Sequence, residues 1–353
     1  MHTQDIFILG ATGKVGRTLI AQIFRHGDDS LTLHRNPTRI VGVASSSRFR
    51  VNPDGLSPED TTTLPDRHGS VLDLLGIPKD PVIFVDVTAA RLEEFHVKAR
   101  ELGHGVVTAN KNPLVDCSFP TFETLTSQPR RYGYRCSVMA GAEAVGYVRD
   151  LRDLDDRPTE ISGCFSGTLG FVCAELEKGR KISEIVREAR AKGYTEPHPA
   201  DDLGGMDVAR KLCILARSAG FDIGLGDIKV WPFIPAGLLA QRDVNLFLSS
   251  LEEVDANFAR LVSDTARDGN VLRYVASLEV ADGKPTATTR IQPVSRQSPL
   301  GALQGTLNKI VVRTATQEGK PYSVEAQGAG LEITARNIRR DLLDQLADRE
   351  VRR

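Results

Sequence analysis

Four carboxylates, two prolines and a pair of adjacent glycines fall within "GYTEPHPADDLGGMDVARK", residues 193–211. The end of this stretch has helical character, which sets Asp207 and Lys211 at i, i+4 on one helix face. Val208, Leu212 and Leu215 mark the apolar stripe, and Asp207 and Lys211 each stand one residue before a stripe position, at its edge. By spacing alone, the commoner meaning of such a pair is a surface ion pair worth about 0.3–0.5 kcal/mol. The flanks point elsewhere. Pro197 and Pro199 hold the chain extended after Glu196, and Gly204-Gly205 lets it turn sharply into the helix, so Glu196, Asp201, Asp202, Asp207 and Lys211 can converge. Acids to hold an ammonium group, with a lysine to polarise a carbonyl and supply its proton, suit a zwitterionic carbonyl substrate. His198, between the two prolines, reads as an exposed loop histidine. The carboxylates lack the order of a calcium loop, and no His/Cys cluster has zinc spacing.

A second constellation lies near the start. "GATGKVG", residues 10–16, joins a strand-like run to a helix-like one, where a turn without side chains lets phosphates approach the helix N-terminus. Gly10, Gly13 and Gly16 are spaced G-x-x-G-x-x-G, with Thr12 where a second glycine commonly stands and with Lys14 and Val15 inside the loop. An NAD site usually ends its second strand on an acid that holds the ribose hydroxyls. Here that end reads from Ser45 to Arg48 without an acid, which favours NADPH or use of both dinucleotides, unless Arg48 is only an exposed loop residue. Two further strand-like runs end at Thr88 and at Lys111, where a nicotinamide ring would reach from a parallel sheet.

These residues need elements to hold them. "DIFILG", "RIVGVASS", "PVIFVDVTAA" and "HGVVTANK" alternate with helical patterns, including about 15 residues around "RLEEFHVKARELG", as parallel strands with crossover helices require. The expectation is a doubly wound, Rossmann-type α/β domain over residues 1–140. From 141 to 330 the texture becomes α+β, with helices "KISEIVREARAKG" and "GMDVARKLCILARSAG" closed by Gly193 and Gly220 and followed by alternating runs such as "VLRYVASLEV". Residues 331–353 look helical again. Residues 48–68 read as a surface loop.

The 353 residues suit two domains rather than one core. A net charge of -1 gives no field to draw nucleic acid or an anionic membrane, and no apolar run would span a bilayer, so a small-molecule partner is expected. Five unpatterned cysteines and a start that carries Asp5 fit a reducing cytoplasm.

The chain resembles homoserine dehydrogenases, the NAD(P)-dependent enzymes that interconvert aspartate 4-semialdehyde and homoserine in threonine and methionine biosynthesis. The resemblance rests on "VVTANK" (106–111), "SGTLGF" (166–171), "GYTEPHPADDLGGMDVARKL" (193–212), "VLRYVASLE" (271–279) and "GAGLEITA" (328–335). It implies that Lys211 is the proton donor with Asp207 beside it and that Glu196 holds the substrate's amino end. Tyr194, Gly167, Thr168, Asp202 and Lys111 would line the substrate pocket. Gly193, Thr88 and Gly330 fall at cofactor-contacting positions, beside the glycine loop, with Lys111 shared between the two roles. A dimer built on the second domain's sheet, a last helix returning to the nucleotide domain, and no C-terminal regulatory domain are also implied.

Three departures stand out. The family segment E-A-T-V-G-A-G-L-P, which in many members offers carbonyls to a monovalent cation, reads from Arg135 to Glu143 here, with Met139 in place of a glycine; a sodium site at Val138 and Ala140 is therefore doubtful. Gly170 stands where Asn or Ser is common. Thr12 matches the G-A-T-G start of aspartate-semialdehyde dehydrogenases, which keeps a cysteine-dependent dehydrogenase, or a catalytically altered NAD(P)-binding homologue, as alternatives.

Overall fold

The computed structural model describes residues 4–26, 38–317 and 319–351. The chain divides into two compact units, residues 1–141 with 329–353, and residues 142–328.

The first unit is built on a seven-stranded sheet of order β4-β3-β2-β1-β5-β6-β7. Its strands are β1 (Gln4–Leu9), β2 (Thr38–Ala44), β3 (Arg48–Val51), β4 (Asp66–Arg67), β5 (Ile83–Asp86), β6 (Gly105–Thr108) and β7 (Tyr132–Gly133). The five strands β2, β1, β5, β6 and β7 run parallel, as continuous apolar runs covered on both faces do. The strand order reverses between β1 and β5, which defines the crevice where ligands of such sheets bind. Helix Lys14–His26 links β1 to β2, and helix Glu93–Glu101 links β5 to β6. The second is shorter than the sequence pattern suggests, because Leu102 caps it and Gly103 takes a left-handed φ of 84°.

Residues 48–68 are not a simple surface loop. Strands β3 and β4 pair antiparallel and extend the sheet from β2, and an Arg50–Asp60 ion pair of 2.6 Å ties the segment between them. The signal was weak because these strands are short, polar and largely exposed, so no apolar alternation marks them.

The last helix, Leu331–Val351, belongs to the first unit. Ala335, Ile338 and Leu342 enter the core beside Ile6, Leu19 and Val107. Buried polar groups fasten it: Gln345 Nε2 donates to Val106 O at 2.7 Å, and Gln4 Nε2 donates to Leu342 O at 2.9 Å. Asp341, fully buried, accepts from the Arg135 guanidinium at 2.7 Å and from the Arg135 backbone N–H at 3.1 Å. Burial pushes the Asp341 carboxyl above its ordinary range in spite of Arg135.

The second unit carries a six-stranded sheet of order β13-β12-β8-β10-β11-β9. Its strands are β8 (Pro158–Cys164), β9 (Ile228–Val230), β10 (Asn270–Ala281), β11 (Lys284–Ser295), β12 (Leu307–Thr314) and β13 (Tyr322–Gln327). All pairs are antiparallel except β9 with β11. Among the described residues no helix is long and apolar enough to cross a membrane.

Replacing Arg135 by Met should leave the Asp341 carboxylate buried without its cation, a loss of about 3–5 kcal/mol at neutral pH. A protonated Asp341 needs no cation, so the deficit should shrink as pH falls through its raised titration range. Urea unfolding at pH 7.5 and pH 5 would check both the size and the direction.

Candidate active site

On the second unit, Gly193 closes helix Ile182–Ala191 with φ 70°, and Tyr194 N–H donates back to Ala189 O at 2.9 Å. The chain then runs through Glu196 to Pro199, which caps the short helix Ala200–Leu203. Asp202 lies on that helix and ties the preceding loop. Its Oδ2 accepts the Glu196 N–H at 2.8 Å, and its Oδ1 stands 2.9 Å from the Thr168 hydroxyl. The same hydroxyl lies 2.6 Å from Tyr194 O, so its one hydrogen is shared between the two acceptors. Burial pushes the Asp202 carboxyl up, and the charges of Glu196 and Asp207 push in the same direction. Glu196, Asp202 and Asp207 therefore lie close enough to act on one another; Glu196 is exposed and the two aspartates are half-buried.

Gly205 takes a left-handed φ of 77° and starts helix Met206–Ser218. A Cβ there would stand 2.0 Å from the Tyr274 hydroxyl, which donates to Trp231 O at 2.8 Å and meets Thr289 Oγ1 at 3.1 Å. From this start the i, i+4 pair forms: Lys211 Nζ lies 2.8 Å from Asp207 Oδ2 and donates to Phe165 O at 2.6 Å. The Lys211 side chain is only 12% exposed against 45% for Asp207, which separates it from an ordinary surface pair. Phe165 leads into Ser166, whose hydroxyl caps helix Gly167–Leu176 by accepting the Leu169 N–H. Gly167 and Gly170 press on the backbone of 305–306; a Cβ on Gly170 would stand 2.9 Å from Gly305 O, which accounts for glycine at that position.

His198 is half-buried rather than exposed. Its Nδ1 accepts the Ala200 N–H at 3.2 Å, its ring lies 5.1 Å from that of Phe247, and its buried Nε2 meets no hydrogen-bond partner among the described residues. Packing against Phe247 could not be seen from residues 49 positions apart.

On the first unit the glycine loop leaves β1 at the reversal of strand order. Gly10 has φ 83°, and a Cβ there would meet Thr88 Cγ2 at 3.0 Å; a Cβ on Gly16 would stand 2.4 Å from Gly10 O. The loop is thus a cradle that side chains would fill, and the leading N–H groups of helix Lys14–His26 have no intrahelical acceptors. Thr12, Gly13 and Lys14 are exposed and Val15 is half-buried. These residues fit a dinucleotide's phosphates. At the end of β2, Ser45 Oγ accepts the Arg48 N–H at 3.1 Å, and the Arg48 guanidinium donates to Leu64 O and Pro65 O at 3.3 Å each. Thr88 lies two residues past the end of β5, Lys111 precedes the short helix Asn112–Val115, and Gly330, with φ 142°, opens the last helix.

The Val138 and Ala140 carbonyls each already accept a hydrogen bond. Ala140 O accepts the Asn337 amide at 2.7 Å, Val138 O accepts the Gly141 N–H at 3.1 Å, and Met139 and Ala140 both adopt φ 50°. The five cysteines are buried, and burial raises the Cys164 and Cys173 thiols to about 12, far from a thiolate nucleophile.

A glycine cradle at the switch point of a parallel sheet, with a separate α+β unit, defines a dinucleotide-binding α/β protein of the Rossmann type. The family model for homoserine dehydrogenase matches residues 148–343. A homoserine dehydrogenase of Saccharomyces cerevisiae is 30% identical over 96% of this chain and 97% of its own length. A bifunctional aspartokinase/homoserine dehydrogenase of Haemophilus influenzae is 32% identical over 97% of this chain, which spans 43% of that protein's length. The fold is shared with a solved hyperthermophilic archaeal homoserine dehydrogenase in complex with NADPH, at TM-score 0.73 and 21% identity, with 98% of each chain covered. The chain belongs to the homoserine dehydrogenase family.

Gly205→Ala should cost at least about 2 kcal/mol, combining left-handed strain with displacement of a hydrogen-bonded tyrosine. Urea denaturation of the two proteins would measure it.

Proposed function

We propose that the chain reduces L-aspartate 4-semialdehyde to L-homoserine with NADPH, or with NADH, and runs the reverse oxidation. The observation that carries this reading is the Lys211 amino group, buried to 12% exposure yet held by one carboxylate and one carbonyl. Asp207 and Phe165 O hold the amino group in a fixed place, from which Lys211 can give a proton to an alkoxide. Glu196, exposed beside Asp202, holds the substrate's amino group, while Tyr194, Gly167, Thr168 and Lys111 shape its pocket. Asp202 acts mainly by fixing the loop that presents Glu196.

Gly10, Thr12, Gly13, Lys14, Val15 and Gly16 take the dinucleotide's phosphates, with Ser45 and Arg48 near the ribose and Thr88, Lys111, Gly193 and Gly330 completing its contacts. The bound nicotinamide supplies or accepts the hydride. On this reading residues 1–141 with 329–353 form the dinucleotide-binding domain, and residues 142–328 form the substrate-binding domain and the dimer's sheet. The protein works in the cytoplasm as a homodimer on a small-molecule substrate, without nucleic acid or membrane. On this reading no monovalent cation is required: Arg135, Met139 and Glu143 stand in the segment that would hold it, and the Val138 and Ala140 carbonyls each already accept a hydrogen bond.

Lys211→Ala should lower kcat for NADP-linked homoserine oxidation by about 10²–10⁴-fold. A loss under tenfold in steady-state assays would exclude the proton-transfer role. Rates in sodium, potassium and tetramethylammonium chloride at equal ionic strength should agree within about twofold, since added salt then acts only by screening.

A further inference from the structure

Asp86, His96 and Tyr132 take no part in the reaction proposed above, yet all three side chains are 0% exposed and hydrogen-bonded in a line. Asp86 is the last residue of β5. Its Oδ1 accepts the Thr88 N–H at 2.9 Å and the Thr88 hydroxyl at 2.7 Å. Its Oδ2 accepts the Asn110 amide at 2.9 Å and faces His96 Nε2 at 3.2 Å. His96 Nδ1 meets the Tyr132 hydroxyl at 2.7 Å. An ionised carboxylate only accepts, so Nε2 donates to Asp86, and the contact of Nδ1 with the Tyr132 hydroxyl completes the line. Burial alone would push the Asp86 carboxyl up, but the bonds from His96 and Thr88 outweigh it and leave the group below the usual carboxylate range.

The carboxylate gathers four donors from three places: residue 88 after β5, residue 110 after β6, and helix Glu93–Glu101. Beyond it the ties continue. Thr88 Oγ1 accepts the Ala90 N–H at 3.1 Å, and its methyl stands against Gly10. Asn110 Nδ2 also donates to Ala90 O at 2.7 Å, Asn110 Oδ1 accepts the Asn112 N–H at 3.1 Å, and Asn112 Nδ2 donates to Ala89 O at 2.8 Å. Lys111 is therefore flanked by two asparagines that are both fastened to residues 89–90. A group serving stability alone would be cheaper as apolar packing, since polar groups this deep bear a desolvation cost.

We propose that Asp86, His96 and Tyr132 are positioning residues for the dinucleotide: they lock Thr88 against Gly10 and lock the Asn110–Asn112 turn, so the rim of the glycine cradle is preset before the cofactor arrives. The inference rests on the reading that the first unit binds NADP(H). The affinity of a preset rim depends on its geometry, and small misplacements are costly.

The test is NADPH titration by fluorescence on the full chain, beside thermal unfolding and steady-state kinetics. His96→Leu should raise the NADPH Kd by about tenfold or more, with a smaller change in KM for homoserine. His96→Gln, whose amide can still donate to Asp86, should recover most of that loss. Tyr132→Phe, which removes one oxygen without changing the packing, should raise the Kd several-fold. If His96→Leu does not fold, Tyr132→Phe and His96→Gln carry the comparison alone. A Kd within twofold of wild type in the folded variants, with only the melting temperature lowered, would overturn the proposal. Wild-type protein that binds NADPH but does not turn over homoserine would sink the catalytic reading and leave this test intact; failure of wild type to bind NADPH would sink both.

Discussion

The chemistry of the second unit hangs on one steric constraint, the absence of a side chain at residue 205. The Tyr274 hydroxyl occupies the space where a Cβ would project, and it is held there by Trp231 O and Thr289. Only a left-handed glycine lets the backbone pass so close to β10 and still begin a helix. Helix Met206–Ser218 starts at that contact, and its second turn carries Lys211 to the carbonyl of Phe165. Moving the start by even a fraction of a turn would rotate the amino group away from that carbonyl, because successive helical positions are about 100° apart.

Two aspartates, one fully buried and one half-buried, illustrate how opposite environments arise from one residue type. Asp86 collects donors from His96, Thr88 and Asn110 and stays ionised despite complete burial. Asp202 has fewer donors and two acidic neighbours, and its carboxyl is pushed up. The first is suited to be a fixed electrostatic anchor, the second to feel any cation that enters beside Glu196.

Much of this was legible from residue spacing. Four of the five parallel strands announced themselves as apolar runs, while the two-residue β7 did not, and Gly10, Gly193, Gly205 and Gly220 marked turns where the backbone does take positive φ. The i, i+4 geometry put Lys211 beside Asp207, but spacing could not show that Lys211 is sheltered, since the shelter comes from Phe165, 46 residues away. For the same reason spacing could not show that two bonds of Asp202 brace the loop, and His198 looked exposed although Phe247 packs on it. The Asp86–His96–Tyr132 line left no local signal at all, because its members lie on three elements and meet only when the sheet forms. The hairpin after residue 48 escaped notice because its strands are too short and too polar to alternate.

The Asn337, Asp341 and Gln345 contacts have a meaning for biosynthesis. They fasten the last helix to a unit whose other parts end at residue 141, so the whole of residues 142–328 must leave the ribosome first. At about 5–20 residues per second that is a delay of roughly 10–40 s. Throughout it Ile6, Leu19 and Val107 lack the apolar side chains that will cover them, and Arg135 lacks its carboxylates. The nascent first unit therefore waits half-dressed for its own C-terminus, and any factor that shelters exposed apolar surface at the tunnel exit would find its longest opportunity there.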